Sequence, residues 1–403
     1  MAPEIREFER SHPWMTFDVD RQLVSAPRRL WELMGGVTAL AEQLAESPML
    51  PEYAVKLHQV MLVRGALATT AIEGNTLSQE DVERLLARTL KLPPSKQYLA
   101  TEVENMIEAF NRVMSGVDVG ELHRITVDEI KSMNRQVLQG LHLDDGVVPG
   151  EISEHGVVVG PYKGAPRRDC DYLLDRLCRW IEYGIPAQAD PQGPMQTSIL
   201  RALLAHLYLA WIHPFGDGNG RTARLVEFAI LANGRIPGPV GHLLSNHFND
   251  TRSEYYRQLT HASRSGGDVV PFLLYALQGL FDGLESQLHA LRTQTEELLW
   301  SALVRLALPG SRETDQRRRR LAEALFVLPN PPRQVDLLTV TPELTRAYAG
   351  KTGKTLTRDL NVLAHTAAPM DLEGRPLVLA VGAGRYRANA EVILGLKPGC
   401  APK

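Results

Sequence analysis

The sequence predicts a mainly α-helical protein with a small β-hairpin and a C-terminal winged helix-turn-helix. Three observations predict this class. Apolar residues recur at helical spacing through most of the 403 residues. One segment, 150–168, instead joins a β-branched run to flanking glycines and prolines. Beyond a polar stretch at 308–316, three helical patterns precede strand-like segments, which is the order of a winged helix.

Taken in order, residues 1–25 read as an extended arm, and helices are expected at 26–46, 52–72 and from Ser78 onward. Gly74 and Asn75 are typical residues to end the second helix. Further helical patterns lie at 96–115, 125–138, 169–183, 196–212, 219–234, 250–263 and 268–306. The C-terminal patterns are helices at 317–327, 341–350 and 353–365 and a strand at 370–381. We expect three regions: 1–95, 96–307 and 317–403.

Composition excludes several classes of protein. A hydrophobic content of 44% is too high for a disordered or fibrous chain. The chain has only three cysteines, its N-terminus is charged and lacks an apolar segment, and it has no apolar run long enough to span a bilayer. These features favour a cytoplasmic protein without a membrane partner. Residues 311–403 hold 15 Lys and Arg against 9 Asp and Glu, whereas the remainder holds 29 against 38. This asymmetry indicates a basic module beside an acidic body.

The most informative segment is His213-Pro-Phe-Gly-Asp-Gly-Asn-Gly-Arg-Thr-Ala-Arg224, which lies between two apolar helical runs. Pro214 disfavours helical geometry at His213, so the first helix should end there. Gly216, Gly218 and Gly220 permit positive φ, and successive N–H groups could then form an anion nest at the start of the next helix. The pattern predicts a phosphate site with a base at its rim.

Residue chemistry assigns roles within this loop. His213 could take a proton from an attacking hydroxyl, because the imidazole pKa lies near neutral pH. Asp217 could hold Mg²⁺ beside phosphate oxygens, although a loop-capping Asp is the alternative. Asn219 is expected to orient a phosphate oxygen and to help cap the helix. Arg221 and Arg224 share a helix face and suit a polyphosphate.

Phe215 and His206 are expected to have structural roles and no part in the chemistry. Phe215 is expected to anchor the loop in the core. His206 lies seven residues before His213 and reads as a hydrogen-bonded core residue.

The twelve residues resemble the signature of the Fic (Fido) family, HPF-x-[D/E]-G-N-[G/K]-R-x-x-R, at every defined position. The preceding helix and an RxxYYxxL segment with Arg252, Tyr255, Tyr256 and Leu259 are also similar, so the resemblance covers roughly residues 50–290. It implies a Fic-type helical bundle at 96–307 that transfers AMP from ATP to a hydroxyl side chain of a protein, with Mg²⁺. Tyr255 and Tyr256 could line the adenine pocket, or simply pack in the core.

The resemblance also indicates where ATP is attacked. The resemblance implies that the hydroxyl attacks the α-phosphorus and that pyrophosphate leaves. The related Doc-type kinases have a Lys at the position of Gly220, so the glycine of this chain favours nucleotidyl transfer. Another nucleotide or a phosphocholine donor stays open.

A second resemblance implies autoinhibition. Thr69, Glu73 and Gly74 match the family's inhibitory motif, [S/T]-x-x-x-E-[G/N]. In that reading Glu73 pairs with Arg224 and occupies the site of the γ-phosphate. The alternatives are a surface Glu without a partner, and a Glu that activates water to remove AMP.

Residues 150–168 resemble the flap on which Fic proteins hold their targets. Val157, Val158 and Val159 could pair with an incoming strand of a protein bearing a Ser, Thr or Tyr hydroxyl, including this chain itself. Ser153 and Glu154 stand where the family often has an Arg. A plain surface hairpin is the alternative.

The C-terminal module has its own candidate surface. The helix from Thr352 to His365 carries Lys354 and Arg358, and the wing would include Arg385 and Arg387. These residues could contact DNA, while winged helices also dock proteins or form homodimers. The run of arginines at 317–320 reads as a solvated helix face. A competing function is therefore a DNA-binding regulator whose Fic domain senses nucleotide.

Overall fold

The computed structural model describes residues 6–47, 49–118, 124–159, 162–184, 195–234, 236–369, 371 and 373–394. The start of the predicted arm, positions 160–161 of the predicted flap and the side chain of Val159 lie outside this description. The chain divides into two compact units, Met1–Ser286 and Gln287–Lys403. The three-part division at 1–95, 96–307 and 317–403 stays a prediction.

The first unit is helical. Its helices are α1 (Glu7–Ser11), α2 (Asp20–Val24), α3 (Arg28–Glu46), α4 (Pro51–Ile72), α5 (Gln79–Leu86), α6 (Gln97–Asp118), α7 (Val127–Val137), α8 (Arg167–Arg179), α9 (Met195–Ile212), α10 (Asn219–Asn233), α11 (Gly238–Gly241), α12 (Leu243–Asp250) and α13 (Arg252–Arg264). Helix α14 (Val270–Ala307) begins in the first unit and ends in the second. A mainly helical fold is thus confirmed.

Helices α9 and α10 form the centre of the first unit. Both are buried on nearly every side, so α9 is apolar around most of its surface, whereas α10 also buries the polar residues Arg221, Arg224 and Glu227. Helix α10 packs against α4, α6, α7 and α9. The loop between α9 and α10 therefore sits on a rigid support that other helices surround.

Local signals set several helix ends. Ser78 accepts from the Asp81 N–H while the Asp81 carboxylate accepts from the Ser78 N–H, which is a capping box at the start of α5. Helix α4 ends at Ile72, and Gly74 takes a φ of +107°, a conformation that favours glycine. The predicted end of that helix is confirmed.

The extended arm at residues 1–25 was a wrong prediction for the described part. Two short helices, α1 and α2, form there and pack on the unit. The Phe8 N–H donates to the Asp169 carboxylate at 2.8 Å, and Gln22 bonds the Gly267 carbonyl and the Val269 N–H, both at 2.9 Å. Five-residue helices are too short to show periodicity. Helices α11 and α12 were also missed.

Two strands interrupt the helices. Strand β1 (Val158–Val159) pairs antiparallel with β2 (Tyr162–Lys163), which confirms the predicted hairpin. Among the described residues, no helix combines the length and apolar character needed to cross a bilayer.

The second unit has its own core. Helices α15 (Glu313–Val327), α16 (Pro342–Ala347) and α17 (Gly353–His365) are followed by strands β3 (Val378–Ala380) and β4 (Tyr386–Ala388), which pair antiparallel, and by α18 (Glu391–Leu394). The end of α14 contributes Trp300, whose indole N–H donates to the Ala322 carbonyl at 2.9 Å. The winged-helix assignment itself stays a prediction.

The arginine run of α15 is not a solvated face. Arg317 and Arg318 donate to the buried carboxylate of Asp359 at 2.8 and 2.9 Å, and the Tyr348 hydroxyl donates at 3.0 Å. Arg319 donates to the Leu308 carbonyl at 2.7 Å. The prediction failed because the partners are distant in sequence and visible only in the fold.

Candidate active site

The loop between α9 and α10 makes a sharp turn at its two ends. His213 has a φ of +49°, which is uncommon for a residue other than glycine, and Gly218 has a φ of +75°. Of the three loop glycines, which all permit positive φ, only Gly218 takes a left-handed conformation. Gly216 is needed for a different reason, since a Cβ there would lie 2.8 Å from Val147.

Asn219 closes the loop. Its side-chain oxygen accepts from the Phe215 N–H at 3.0 Å, and its amide donates to the Phe215 carbonyl at 2.6 Å. The expected capping role was wrong, because Gly218 is the N-cap and no side chain caps α10. The amide instead fixes the backbone that carries the first-turn N–H groups. Phe215 is buried, as expected of an anchor.

His213 is placed as a base. Its Nδ1 lies 3.3 Å from the Ala210 carbonyl oxygen, which can only accept, so Nδ1 carries the proton and Nε2 keeps its lone pair. Burial lowers the pKa of His213 below its ordinary value, and the hydrogen bond to Ala210 and the charge of Glu73 oppose the shift only in part. The imidazole is therefore neutral at neutral pH.

Arg224 is fully buried and bound on two sides. Its Nη2 donates to Glu73 Oε1 at 2.6 Å and to the Thr69 carbonyl at 2.9 Å, and its Nε donates to the Thr69 hydroxyl at 2.5 Å. Partial burial of Glu73 raises its pKa, but the charge and hydrogen bond of Arg224 outweigh this, so the pKa lies below the ordinary value. The pair is ionised at neutral pH.

The end of α4 is held against the loop by two further features. The Tyr256 hydroxyl donates to the Ile72 carbonyl at 3.1 Å. At Gly220 an added Cβ would collide with the Glu73 carboxylate and lie 3.1 Å from Arg224 Nη1. Gly220 thus leaves the space in which Glu73 meets Arg224.

Arg221 binds a different set of partners from Arg224. It donates to Glu102 at 3.2 Å and to Asp217 at 3.1 Å, and Glu102 accepts from the Asn75 amide at 2.8 Å. Burial raises the pKa of Glu102, although Arg221 and Asn75 oppose the shift. Sequence reasoning missed Glu102, because no motif includes it and 119 positions separate it from Arg221.

A cavity of about 300 Å³ lies over the loop. Its walls include the side chains of His213, Asp217, Asn219, Arg224 and Glu73, together with Tyr255, Tyr256, Val157, Val158, Tyr162, Trp211, Leu259 and Thr260 and the loop glycines at 216, 218 and 220. No sequence pattern singles out Tyr162, Trp211 and Thr260. Arg221 and Thr69 do not line the cavity, so phosphate binding by Arg221 stays a prediction.

Behind the cavity, His206 has the structural role expected of it. Its Nε2 lies 2.8 Å from the Tyr255 hydroxyl and its Nδ1 lies 2.8 Å from Glu227, all three being buried. Tyr255 is therefore fixed from the core side, whereas Tyr256 is partly exposed. The two tyrosines both reach the cavity wall.

The hairpin is attached to the loop through its backbone. The Ser153 N–H donates to the Pro214 carbonyl at 2.9 Å, Ile152 bridges Phe215, and the Tyr162 hydroxyl donates to the Trp211 carbonyl at 2.7 Å. His12 Nε2 donates to the Lys163 carbonyl at 2.9 Å. Main-chain bonds thus anchor the segment without the Arg that the family often has there.

The donors around Asp217 fit one kind of metal site. Among the described residues, no group of three or more His, Cys, Asp and Glu side chains could hold a metal unaided. Asp217 is 47% exposed, lines the cavity, and shares one carboxylate oxygen with the Gly218 N–H and Arg221. A single open carboxylate suits Mg²⁺, which completes its shell with water and substrate phosphate.

Comparison with known proteins agrees with this geometry. The model of the Fic/DOC family matches residues 124–231. Protein adenylyltransferase fic-1 of Caenorhabditis elegans is 31% identical over 232 residues, which cover 57% of this chain and 42% of the relative. Protein adenylyltransferase Fic of Nematostella vectensis is 30% identical over 208 residues, covering 51% and 44%. The chain thus spans less than half the length of these relatives.

Two solved structures are similar. A Fic family protein from Desulfovibrio desulfuricans G20 superposes with a TM-score of 0.55 at 19% identity, covering 90% of this chain and 97% of that one, which shows a shared fold. Residues 134–508 of Fic-1 from C. elegans give a TM-score of 0.53 at 25% identity, covering 66% and 73%. Family match, fold and loop geometry agree, and this chain therefore contains a Fic/DOC domain.

Proposed function

We propose that this protein is an adenylyltransferase that moves AMP from ATP to a hydroxyl side chain of a protein, and that Glu73 restrains it. One observation carries the proposal. The lone pair of His213 and the carboxylate of Asp217 share one cavity with Arg224, above a helix start whose N–H groups can receive phosphate. The names of the similar proteins support the same reaction.

The chain supplies positioning and one proton acceptor. The first-turn N–H groups of α10 and, once free, Arg224 hold the phosphates of ATP. His213 Nε2 accepts the proton of the incoming hydroxyl as its oxygen bonds to the α-phosphorus. The bond from that phosphorus to the bridging oxygen breaks, and pyrophosphate leaves. Asp217 would hold Mg²⁺, which neutralises phosphate charge when bound.

Glu73 opposes this arrangement by occupying the Arg224 guanidinium at 2.6 Å. A γ-phosphate at that place would bring its own anionic oxygens against the Glu73 carboxylate. ATP would then bind in a pose that does not align the α-phosphorus with the hydroxyl. Activity should rise when the carboxylate is removed.

Four variants test the proposal. Wild type, Glu73→Gly, Glu73→Gly with His213→Ala, and a control are incubated with ATP, Mg²⁺ and lysate, and adenylylated peptides are counted by mass spectrometry. The control is Glu46→Gly, which removes an exposed glutamate from the end of α3. We expect at least a tenfold rise for Glu73→Gly alone, including self-modification, and loss when His213 is removed.

Two results would contradict the proposal. Equal adenylylation in Glu73→Gly and Glu46→Gly would show that Glu73 does not restrain the enzyme. Adenylylation that survives His213→Ala would show that the base lies elsewhere.

A further inference from the structure

We infer that the C-terminal unit binds duplex DNA through one surface, the basic face. This face consists of Lys354, Thr357, Arg358, Asn361 and His365 on α17 and of Arg333, Arg385 and Arg387 beside the β3–β4 hairpin. The inference goes beyond adenylyl transfer and does not depend on it.

The core determines which side of α17 is free. Leu356, Leu360 and Leu363 are buried in the core of the unit. Lys354, Thr357, Arg358, Asn361 and His365 recur at steps of three and four residues and line one open groove along the helix. Spacing of this kind places them on a single side.

This side of α17 is positively charged, and no acidic residue of the same helix neutralises it. Asp359 is the one acidic residue of α17, and its carboxylate is buried against Arg317 and Arg318. Lys354 and Arg358 therefore face solvent with no carboxylate of α17 beside them. A surface built in this way attracts anions.

The hairpin extends the positive surface. Gln334 donates from its side chain to the Thr357 hydroxyl at 2.5 Å and from its backbone to the Gly384 carbonyl at 2.9 Å. One residue thus links the middle of α17 to the turn of the hairpin. Arg333 forms a β-bridge with Arg385, and both side chains are exposed, as is that of Arg387.

Duplex DNA fits this surface better than a protein does. A helix of 13 residues is about 20 Å long, and the major groove of DNA is about 12 Å wide, enough to admit it. Arg358 and Asn361 are residue types that read guanine and adenine edges, and the flanking arginines suit phosphates. Protein interfaces instead need buried aromatic or arginine anchors in pockets, and the groove on α17 offers only Val362 as an apolar side chain.

The test measures fluorescence anisotropy of a labelled duplex of mixed sequence, about 30 base pairs long, with the full chain at several salt concentrations. We expect Lys354→Gln with Arg358→Gln to weaken binding at least tenfold at low salt. The slope of log affinity against log salt should fall by about 1 for the phosphate contact of Lys354, whereas the lost base contact of Arg358 lowers the affinity itself. Arg387→Gln should lower the slope by about 1.

A matched control removes the same charge elsewhere. Arg305→Gln with Arg320→Gln deletes two exposed arginines from α14 and α15, outside the basic face. This variant should bind as wild type does, and circular dichroism checks that each variant is folded. Adenylyl transfer should be equal in all of them.

Three outcomes would overturn the inference. Wild type could fail to bind the duplex even at about 50 mM salt. The control could lose as much affinity as the α17 variant, which would mean diffuse attraction. A single strand of the same sequence could bind as tightly as the duplex. If the basic face bound a protein and not DNA, wild type would not bind the duplex, which is the first outcome.

Discussion

Arg224 is the residue through which Glu73 would restrain the proposed reaction. A guanidinium with 1% exposure needs an anion beside it, and Glu73 provides one while Thr69 supplies two neutral acceptors. Triphosphate would provide the same charge. In the proposed function, Glu73 and phosphate would therefore compete for this buried cation.

This competition predicts a stability effect. Glu73→Gln keeps the size of the side chain but leaves Arg224 without its anion, and we expect a loss of about 2 kcal/mol or more in the free energy of unfolding. ATP with Mg²⁺ should raise the melting temperature of this variant more than that of wild type, because phosphate replaces the missing charge. Urea denaturation measures the free energy of unfolding and scanning fluorimetry measures the melting temperatures, with Glu46→Gln as control. An equal ATP response in variant and wild type would contradict the competition.

The environment of His213 predicts the pH dependence of transfer. Burial lowers the His213 pKa, so the neutral base persists to lower pH than a free imidazole would allow. In Glu73→Gly, kcat/KM should fall on the acid side with a midpoint below about 6.5. The measurement is a pH profile at saturating Mg²⁺. An acid limb centred above that value would mean that another group titrates.

At the scale of elements, the hairpin offers an open edge. Val157 accepts from Gly164 and Val159 is paired with Tyr162, so the N–H and C=O of Val158 point away from β2. The Val158 side chain is exposed at 63%. An incoming strand could therefore add to β1 through main-chain bonds.

A proline substitution tests this edge. Val158→Pro removes the outward N–H and should raise the KM for a protein target about tenfold with little change in the KM for ATP. Val158→Thr keeps the N–H and the β-branched shape, and should behave as wild type. The Glu73→Gly background makes both measurable. Unchanged target kinetics in the proline variant would rule out docking by strand addition.

Elements with dense local signals were predictable, whereas contacts between distant residues were not. The stretch from His213 to Arg224 has its base, carboxylate and cations within twelve positions, so its chemistry is readable without coordinates. Glu102 and the burial of Arg317 depend on partners 119 and 42 positions away. The short helices α1 and α2 carry too few residues for a period to emerge.

At the scale of the whole molecule, each unit has its own core. Basic residues exceed acidic ones in the C-terminal part of the chain, and acidic residues exceed basic ones in the rest. Buried Asp359 joins α17 to two arginines of α15 in the second unit. Asp359→Ala would leave the buried Arg317 unpaired and should lower the free energy of unfolding of that unit by about 3–5 kcal/mol. Calorimetry should show the melting transition of that unit shifted down by roughly 10 °C or more.

The first unit provides the comparison. Its transition should move little, and adenylyl transfer at low temperature should persist. The control is Asp371→Ala, which breaks an ion pair with the more exposed Arg375 and should cost less. An equal shift in both variants would contradict the account of the second core.

In the proposed reaction, the loop after α9 exposes the α-phosphorus of ATP to a hydroxyl beside His213. The most direct measurement compares ATP labelled at the α-phosphate with ATP labelled at the γ-phosphate, using Glu73→Gly and Mg²⁺. We expect the target protein to retain the α-label while the γ-label leaves ATP as pyrophosphate, and neither event to occur when His213 is alanine. Protein that retained the γ-label, or neither label, would contradict the proposed reaction.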